Sequence, residues 1–139
     1  MKAHSLLLDT HVVIWMSSEP ERLPAGLTRA IQNARTRFVS HATAWEIQIK
    51  RQKHGTGFGF SLNDLERTMR AFVCTELPIE YQDIRALDEM RFLHADPFDR
   101  LIMSQAARRP VHLATLDRNI LRTFETTKAF SLFVEELRA

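Results

Sequence analysis

Short apolar runs alternate with amphipathic stretches along the chain of 139 residues. The first run, Leu6 to Leu8, is continuously apolar, which is typical of a strand buried on both faces of a sheet. Further short runs predict strands near residues 38–40, 73–77 and 111–115. Apolar residues at helical spacing predict the intervening helices, over about 11–16, 24–34, 42–53, 62–72, 81–90, 97–108 and 118–124, and a helical tail from Phe130 onward. Strands that alternate with helices favour an α/β fold in which a parallel sheet has helices on both faces.

Turn-forming and capping residues mark boundaries in this pattern. Glu19-Pro20 ends the first helix, and the glycine-rich stretch 55–59 predicts a flexible loop. This loop follows a helix and lacks the GxGxxG spacing, which argues against a dinucleotide site. Ser61 or Asn63 can cap the next helix, with Asn63 and Glu66 at the spacing of a capping box. The apolar stripe predicted for the helix over 81–90 consists of Tyr81, Ile84, Leu87 and Met90.

The composition, 45% hydrophobic and 26% charged, is typical of a globular protein, and the length fits a single domain over residues 1–139. The single cysteine, Cys74, excludes an internal disulfide and favours a reducing, cytoplasmic location. Its apolar neighbours predict a small core residue in a buried strand. No apolar stretch approaches the roughly 20 residues of a membrane span, and we expect no signal peptide. A net charge of +2 permits an anionic partner without requiring one.

Four acidic residues stand where the predicted strands and helices meet. Asp9 follows the first strand directly, and Glu46 and Asp117 lie at or beyond later junctions. Asp99 opens a helix. Because the carboxyl ends of parallel strands share one edge of the sheet, where ligands bind, we expect these acids to converge there.

Such a cluster of carboxylates requires protons or a cation. Two unit charges about 4 Å apart repel by roughly 4 kcal/mol at an effective dielectric of 20. Oxygen ligands suit hard divalent cations, so Mg²⁺ or Mn²⁺ is the expected cofactor, whereas the histidine spacing does not indicate zinc. A cation held in this way can activate water and bind a phosphodiester.

Each acid also has a purely structural interpretation. Asp9 could cap the helix that follows it, and Asp117 could do the same further along. Glu46 could form an exposed i, i+4 pair with Lys50, which contributes only about 0.3–0.5 kcal/mol. We therefore keep both interpretations open for these three acids.

The segment Asp96-Pro97-Phe98-Asp99 has the strongest structural interpretation. Asp96 is a good N-cap, Pro97 fits the first helical position, and Asp99 in the first turn favours the helix dipole. We assign Asp96 mainly to capping and Asp99 to the site. Thr115, two residues before Asp117, could orient that acid or contact a phosphate.

Four segments carry a family resemblance in this order: Leu6-Leu7-Leu8-Asp9-Thr10-His11-Val12, Ser40 to Lys50 with Trp45-Glu46-Ile47, Asp96-Pro97-Phe98-Asp99-Arg100-Leu101-Ile102, and Ala114-Thr115-Leu116-Asp117. In order and spacing they cover about residues 5–120. The chain resembles the PIN-domain family, and in particular the VapC-type ribonuclease toxins of bacterial toxin–antitoxin pairs. Beyond residue 117 it departs from that subfamily: a short fifth strand is common there, whereas 125–128 is polar and 130–139 is helical in pattern.

The resemblance implies a PIN-like fold with a sheet of four to five strands and Mg²⁺- or Mn²⁺-dependent endonucleolytic cleavage of RNA. It further implies a homodimer inhibited by a small antitoxin. By position in the motifs, the resemblance implies catalytic and metal-binding roles for Asp9, Glu46, Asp99 and Asp117. It implies supporting roles in the site for Thr10, Thr115 and Asp96. Candidates for holding the RNA backbone are the basic residues Lys50, Arg51, Lys53 and Arg100.

Two other functions are compatible with parts of the pattern. A phosphatase of the haloacid-dehalogenase type also has an acid after its first strand, but that class needs a second Asp two residues on, where this chain has His11. A non-catalytic RNA- or protein-binding PIN domain is the alternative from another class, and the complete set of acids argues against it.

Overall fold

The structure is a computed structural model that describes residues 4–89 and 96–120. Within these ranges there are four strands: β1 (Leu6–Leu8), β2 (Arg37–Ser40), β3 (Cys74–Leu77) and β4 (His112–Ala114). They form one parallel sheet in the order β3-β2-β1-β4. Leu8, the last residue of β1, pairs with Val39 and Ala114. The carboxyl ends of β1, β2 and β4 therefore lie side by side at one edge of the sheet.

Helices connect these strands throughout the described part of the chain. Short 3-10 turns follow three of them, at Pro20–Arg22, Gly55–Gly57 and Ala86–Glu89, and residues 118–120 start a further helix. The helices are α1 (Thr10–Ser18), α2 (Ala25–Asn33), α3 (His41–His54), α4 (Leu62–Ala71), α5 (Tyr81–Arg85) and α6 (Pro97–Ala107).

The hydrophobic core lies on both faces of the sheet. Successive side chains of a strand point to opposite faces, so Leu6 and Leu8 pack on one side and Leu7 on the other. The first side is covered mainly by α1, α2 and α4, and the second mainly by α6. All three leucines are buried, which explains why the first run is continuously apolar.

The predicted parallel α/β architecture is confirmed. The helices predicted over 11–16, 24–34, 42–53, 62–72 and 97–108 are all present, with bounds that differ by at most two residues from those predicted. The first helix ends at Ser18, before Pro20, as the sequence indicates. Of the helix predicted over 118–124, residues 118–120 are helical. The remainder of that helix, the polar stretch 125–128 and the tail from Phe130 lie outside the described residues.

The prediction of a buried third strand is wrong. Among the described residues β3 pairs only with β2, which makes it an edge of the sheet there, and it begins at Cys74, after Val73. Val73 is 74% exposed and has a φ of 54°, in the left-handed region. Cys74 is only partly buried, although it does pack against the core. Burial here depends on cover by helices as well as on strand pairing, since Leu113 of β4 is fully buried against α6 although β4 also pairs with one strand in the described ranges.

The amphipathic helix predicted over 81–90 is also different in the structure. α5 has only five residues, and Tyr81 and Ile84 of the expected buried stripe are 67% and 51% exposed. The buried side chain of this helix is Asp83, which is paired with Arg108 and Arg109. Met90 lies outside the described residues. The face of α5 that is buried is the one that pairs with Arg108 and Arg109 after the end of α6, and the spacing of apolar residues does not indicate this pairing.

The capping box of α4 is formed by a different pair from the one predicted. Ser61 is the N-cap, and its hydroxyl accepts a hydrogen bond from the backbone N–H of Asp64 at 3.1 Å. The Asp64 carboxylate accepts one from the N–H of Ser61 at 2.8 Å. Ser61 therefore supplies the cap, as one of the two candidates proposed, but Asn63 and Glu66 do not form the box. No helix in the described ranges has the length and apolarity needed to cross a membrane.

Candidate active site

Asp9 is a buried acid at the point where β1 leaves the sheet. Its backbone N–H still donates to the carbonyl of Ala114 at 2.9 Å, which continues the ladder to β4. Its side chain caps α1, because Oδ1 accepts a hydrogen bond from the N–H of Thr10 at 2.8 Å. Burial raises the pKa of Asp9, and the hydrogen bonds from Thr115 and Thr10 oppose this effect. The capping role considered for Asp9 is thus real, and it coexists with a position at the sheet edge.

Thr115 links Asp9 to the segment after β4. Its hydroxyl donates to Oδ2 of Asp9 at 2.8 Å and accepts from the backbone N–H of Asp117 at 3.1 Å. Asp117 in turn accepts, at Oδ1, hydrogen bonds from the N–H groups of Asn119 and Ile120 at 2.8 and 3.0 Å. One hydroxyl therefore fixes Asp9 and the start of the turn that positions Asp117, and Asp117 also caps the helical residues that follow it.

A pair of hydroxyls joins α1 to α3. The side-chain oxygens of Thr10 and Thr43 are 3.0 Å apart, and both residues are buried. Thr43 lies three residues before Glu46, on the same side of α3. Thr10 is among the predicted supporting residues, whereas Thr43 is not, although its i, i+3 spacing to Glu46 was an available signal.

Glu46 projects from α3 into a buried position. It is 4% exposed, and its Oε2 forms an ion pair with Nζ of Lys50 at 3.1 Å. The i, i+4 pair considered as an alternative is therefore present, but its carboxylate is buried. Oε1 of Glu46 is buried and has no hydrogen-bond partner among the described residues. A buried carboxylate oxygen without a partner is a group that water or a bound ion normally satisfies.

The first turn of α6 separates the roles of two acids. Asp96 is the N-cap, and its Oδ1 accepts hydrogen bonds from the N–H groups of Phe98 and Asp99 at 2.9 and 3.1 Å. Pro97 occupies the first helical position. The assignment of Asp96 mainly to capping is confirmed. Asp99 follows in the same turn and is half-buried.

Asp99 experiences the negative charge of the other acids. Burial raises its pKa, and the charges of Asp9, Asp96, Glu46 and Asp117 raise it further, to about 8. The carboxyl of Asp99 is thus close enough to all of these acids to be repelled by them. We call Asp9, Glu46, Asp99 and Asp117 the acidic site.

The chemistry of this donor set fits a hard divalent cation. Carboxylates that repel one another, one of them with a buried oxygen lacking a partner, provide the negative charge and the oxygen ligands that Mg²⁺ or Mn²⁺ prefers. Among the described residues, no group of three or more His, Cys, Asp or Glu side chains is arranged so that it could hold a metal ion by itself. Mg²⁺ commonly keeps several waters and takes only one or two carboxylates directly, so an open arrangement suits it.

The basic residues selected from the sequence differ in their surroundings. Lys50 is paired with Glu46, and Arg51 donates from Nη1 to the carbonyl of Phe58 at 2.9 Å, which holds the loop after α3. Lys53 is exposed. Arg100 is half-buried, and its Nε lacks a hydrogen-bond partner among the described residues. Lys50 and Arg51 therefore have intramolecular contacts, while Lys53 faces solvent.

An aromatic contact beside the acidic site was not predicted. The rings of Trp45 and Phe98 meet edge to face, with centroids 5.1 Å apart. Each ring belongs to the residue immediately before an acid, Glu46 on α3 and Asp99 on α6. That shared position was the only signal in the sequence, and spacing alone did not indicate that the two helices meet here.

Known proteins share the fold of this chain. The family model of the PIN domain matches residues 6–125. A chain in the crystal structure of VapBC2 from Rickettsia felis bound to a DNA fragment from their promoter is similar to this chain, with a TM-score of 0.60 and 16% sequence identity. The alignment covers 93% of this chain and 97% of that chain. At this identity the likeness concerns the fold alone. A search of curated proteins finds no match.

Proposed function

Because this chain belongs to the PIN-domain family, with a PIN-like parallel sheet flanked by helices, we propose that it is a metal-dependent endoribonuclease of the VapC type. Its substrate would be RNA, its cofactor Mg²⁺ or Mn²⁺, and its inhibitor a cognate antitoxin protein. The observation that carries the proposal is the electrostatic coupling of Asp99 to the other acids at the edge of the sheet.

The acidic site would hold the cation through Asp9, Glu46, Asp99 and Asp117, directly or through water. When bound, the cation would supply Lewis acidity, lower the pKa of a water molecule and offset charge on the phosphate. Water would attack phosphorus in line as the bond to the 3′ oxygen breaks, leaving a 5′-phosphate and a 3′-hydroxyl. Thr115 would hold the Asp9 carboxylate in one orientation throughout.

Basic residues near α3 and α6 would contact the RNA backbone. Lys50, Arg51, Lys53 and Arg100 are the candidates, and contacts of this kind make binding weaker as salt concentration rises. Lys50 would have to exchange its ion pair with Glu46 for a phosphate contact when the cation takes over that carboxylate.

The proposed partners follow from the resemblance to VapC-type toxins and from the similar fold in the VapBC2 structure. We propose that the chain forms a homodimer and binds a small antitoxin in the cytoplasm. Sedimentation of the purified chain, alone and with a candidate antitoxin protein, tests both parts. A monomer at all concentrations would contradict the first part, and no complex would contradict the second.

The decisive experiment is cleavage of total cellular RNA with mapping of the new ends, with Mg²⁺ or Mn²⁺ and with chelator. We expect cleavage only with the cation. The Asp9→Asn variant should be slower by about 100-fold or more, the loss typical of removing one key charge-stabilising group. An amide oxygen can still cap α1, so the thermal midpoint and circular dichroism should stay close to those of the wild type.

Asp88→Asn is the matched control, since Asp88 is an exposed acid outside the acidic site. It should cut RNA at the wild-type rate. Full activity in Asp9→Asn would overturn the assignment of Asp9. Binding of varied RNAs without any cation-dependent cleavage would instead favour the non-catalytic PIN domain.

A further inference from the structure

An exposed aromatic ring stands at the acidic site. Trp45 is 56% exposed, although burying a large aromatic side chain is normally favourable. Its ring packs against the ring of Phe98, edge to face, with the two centroids 5.1 Å apart. The contact joins α3 to α6, the two helices that carry Glu46 and Asp99. A tryptophan supported in this way is held in place while much of its surface remains open to solvent.

The position of the pair restricts what can cover it. Trp45 directly precedes Glu46, and Phe98 directly precedes Asp99, so a phosphodiester at the acidic site would place its neighbouring nucleotides within the reach of these rings. Lys50 lies five residues beyond Trp45 on the same helix and is paired with Glu46, so it would supply positive charge for a backbone phosphate once that carboxylate binds the cation. Aromatic faces next to cations are the usual elements of a surface that binds single-stranded nucleic acid.

We propose that Trp45, supported by Phe98, stacks against an unpaired base next to the scissile phosphate of a single-stranded RNA. This proposal rests on the proposed ribonuclease function and adds to it a residue that would position the substrate, because an unpaired base has a free face for the ring and a base in a duplex has none. Stacking is tolerant of sequence, since every base has a π face. The ring would thus select for unpaired RNA more than for a particular base.

Binding of a fluorescently labelled oligouridylate tests whether Trp45 stacks against a base. The measurement uses the full chain with Asp9→Asn in every protein compared, so that the RNA is not cut. Adding Trp45→Ala should weaken binding by about 5- to 150-fold, the range for loss of one stacked base. Trp45→Phe should restore most of the affinity. An oligonucleotide of equal length without bases should bind equally well with and without the Trp45→Ala change, because only the backbone contacts remain.

Tyr81→Ala is the matched control for loss of an exposed aromatic ring. Tyr81 is 67% exposed on α5. Asp83 of the same helix contacts Arg108 and Arg109, which follow the C-terminal end of α6, whereas Phe98 lies at the N-terminal end of α6. This variant should bind the oligouridylate as tightly as the protein that retains Tyr81. An equal loss from both aromatic substitutions would overturn the proposal, since it would show a general effect of the apolar surface.

Fluorescence gives a readout that a purely structural role would not change. With Trp15→Phe, Trp45 is the only tryptophan, and stacking of a base should quench its emission on addition of oligouridylate. Suppose that the wild-type chain cuts RNA, that Trp45 emission does not change, and that Trp45→Ala binds with wild-type affinity. These results would overturn the stacking role of Trp45 without contradicting the ribonuclease function. RNA that is neither cut nor bound would overturn both. A loss of antitoxin or self-association in Trp45→Ala, with RNA binding intact, would assign the ring to a protein interface and overturn the proposal.

Discussion

The hydroxyl of Thr115 donates a 2.8 Å hydrogen bond to Oδ2 of Asp9, across 106 positions of the sequence. The bond joins the residue that follows β1 to the residue that follows β4, and these two strands are neighbours in the sheet. Asp9 therefore has both carboxylate oxygens engaged, one by the start of α1 and one by Thr115. A carboxylate held by two donors has a fixed orientation before any ligand arrives.

Replacing Thr115 with valine should disturb that orientation while keeping the shape of the side chain. A buried carboxylate oxygen loses its donor, so we expect the free energy of unfolding to fall by about 1–3 kcal/mol. Loss of a residue that orients a metal ligand commonly lowers metal affinity or activity by about 10–100-fold. Titration of Mg²⁺ followed by thermal shift, and the rate of RNA cleavage, measure these effects. Thr115→Ser keeps the hydroxyl and should recover most of both losses; equal defects in the two variants would contradict the role of the hydroxyl.

Asp99→Asn should stabilise the protein in the absence of divalent cations. The change removes a half-buried carboxyl whose ionised form is opposed by burial and by the charges of Asp9, Glu46 and Asp117. We expect a gain of about 0.5–2 kcal/mol in the free energy of unfolding, in the range of other single changes that relieve a strained functional site. Thermal unfolding in chelator measures this gain. Mg²⁺ should raise the midpoint of the wild type and raise that of the variant far less, whereas equal increases would show that Asp99 is outside the cation site.

The buried carboxylate of Asp83 should be critical for stability. It accepts hydrogen bonds from Arg108 and Arg109, and Arg109 also reaches the exposed Glu80. Asp83→Asn removes the buried carboxylate that Arg108 and Arg109 share, leaves Arg109 with the exposed Glu80 alone, and should cost about 3 kcal/mol of unfolding free energy in denaturant titrations. Glu80→Gln removes only an exposed partner and should cost less than about 1 kcal/mol. Comparable losses in the two variants would mean that the burial of Asp83 has no energetic consequence.

The same cluster predicts a pH dependence. Burial raises the pKa of Asp83, but the hydrogen bonds from Arg109, the backbone N–H of Glu80 and Arg108 together hold it below the ordinary value. The stabilisation is therefore complete above the unfolded-state pKa of about 4 and is lost as the pH falls through the lower folded-state pKa. Acid unfolding of Asp83→Asn should accordingly show a smaller loss of stability below about pH 4 than that of the wild type.

Val73→Gly should stabilise the fold at the edge of the sheet. Val73 has a φ of 54°, a conformation that costs a residue with a β-carbon about 1–2 kcal/mol and that glycine adopts freely. The side chain is 74% exposed, so little packing is lost. After the entropy cost of glycine, about 0.5–1 kcal/mol, a net gain of up to about 1.5 kcal/mol is expected in the free energy of unfolding. Val73→Ala retains the β-carbon and should gain less; a loss of stability in the glycine variant would show that the valine side chain matters more than its backbone.

Local patterns predicted those parts of the protein that depend on neighbours in the sequence. The run Leu6–Leu8 predicted a strand because an apolar side chain on every position requires burial on both faces. Asp96-Pro97 predicted a helix start because the cap acts on N–H groups two and three residues away. The prediction for Tyr81 and Ile84 was wrong because the buried side chain of α5 is Asp83, whose partners Arg108 and Arg109 follow the end of α6.

The sequence by itself determined the alternation of strands and helices, the family, and the position of Asp9 at the end of a buried strand, because periodicity, capping and motif order act over a few residues. Only the tertiary structure decided that Thr115 holds Asp9, that Glu46 has a buried oxygen without a partner among the described residues, and that Trp45 meets Phe98. These contacts join segments far apart in the chain, and their geometry depends on how the helices pack on the sheet, which no short stretch of sequence encodes.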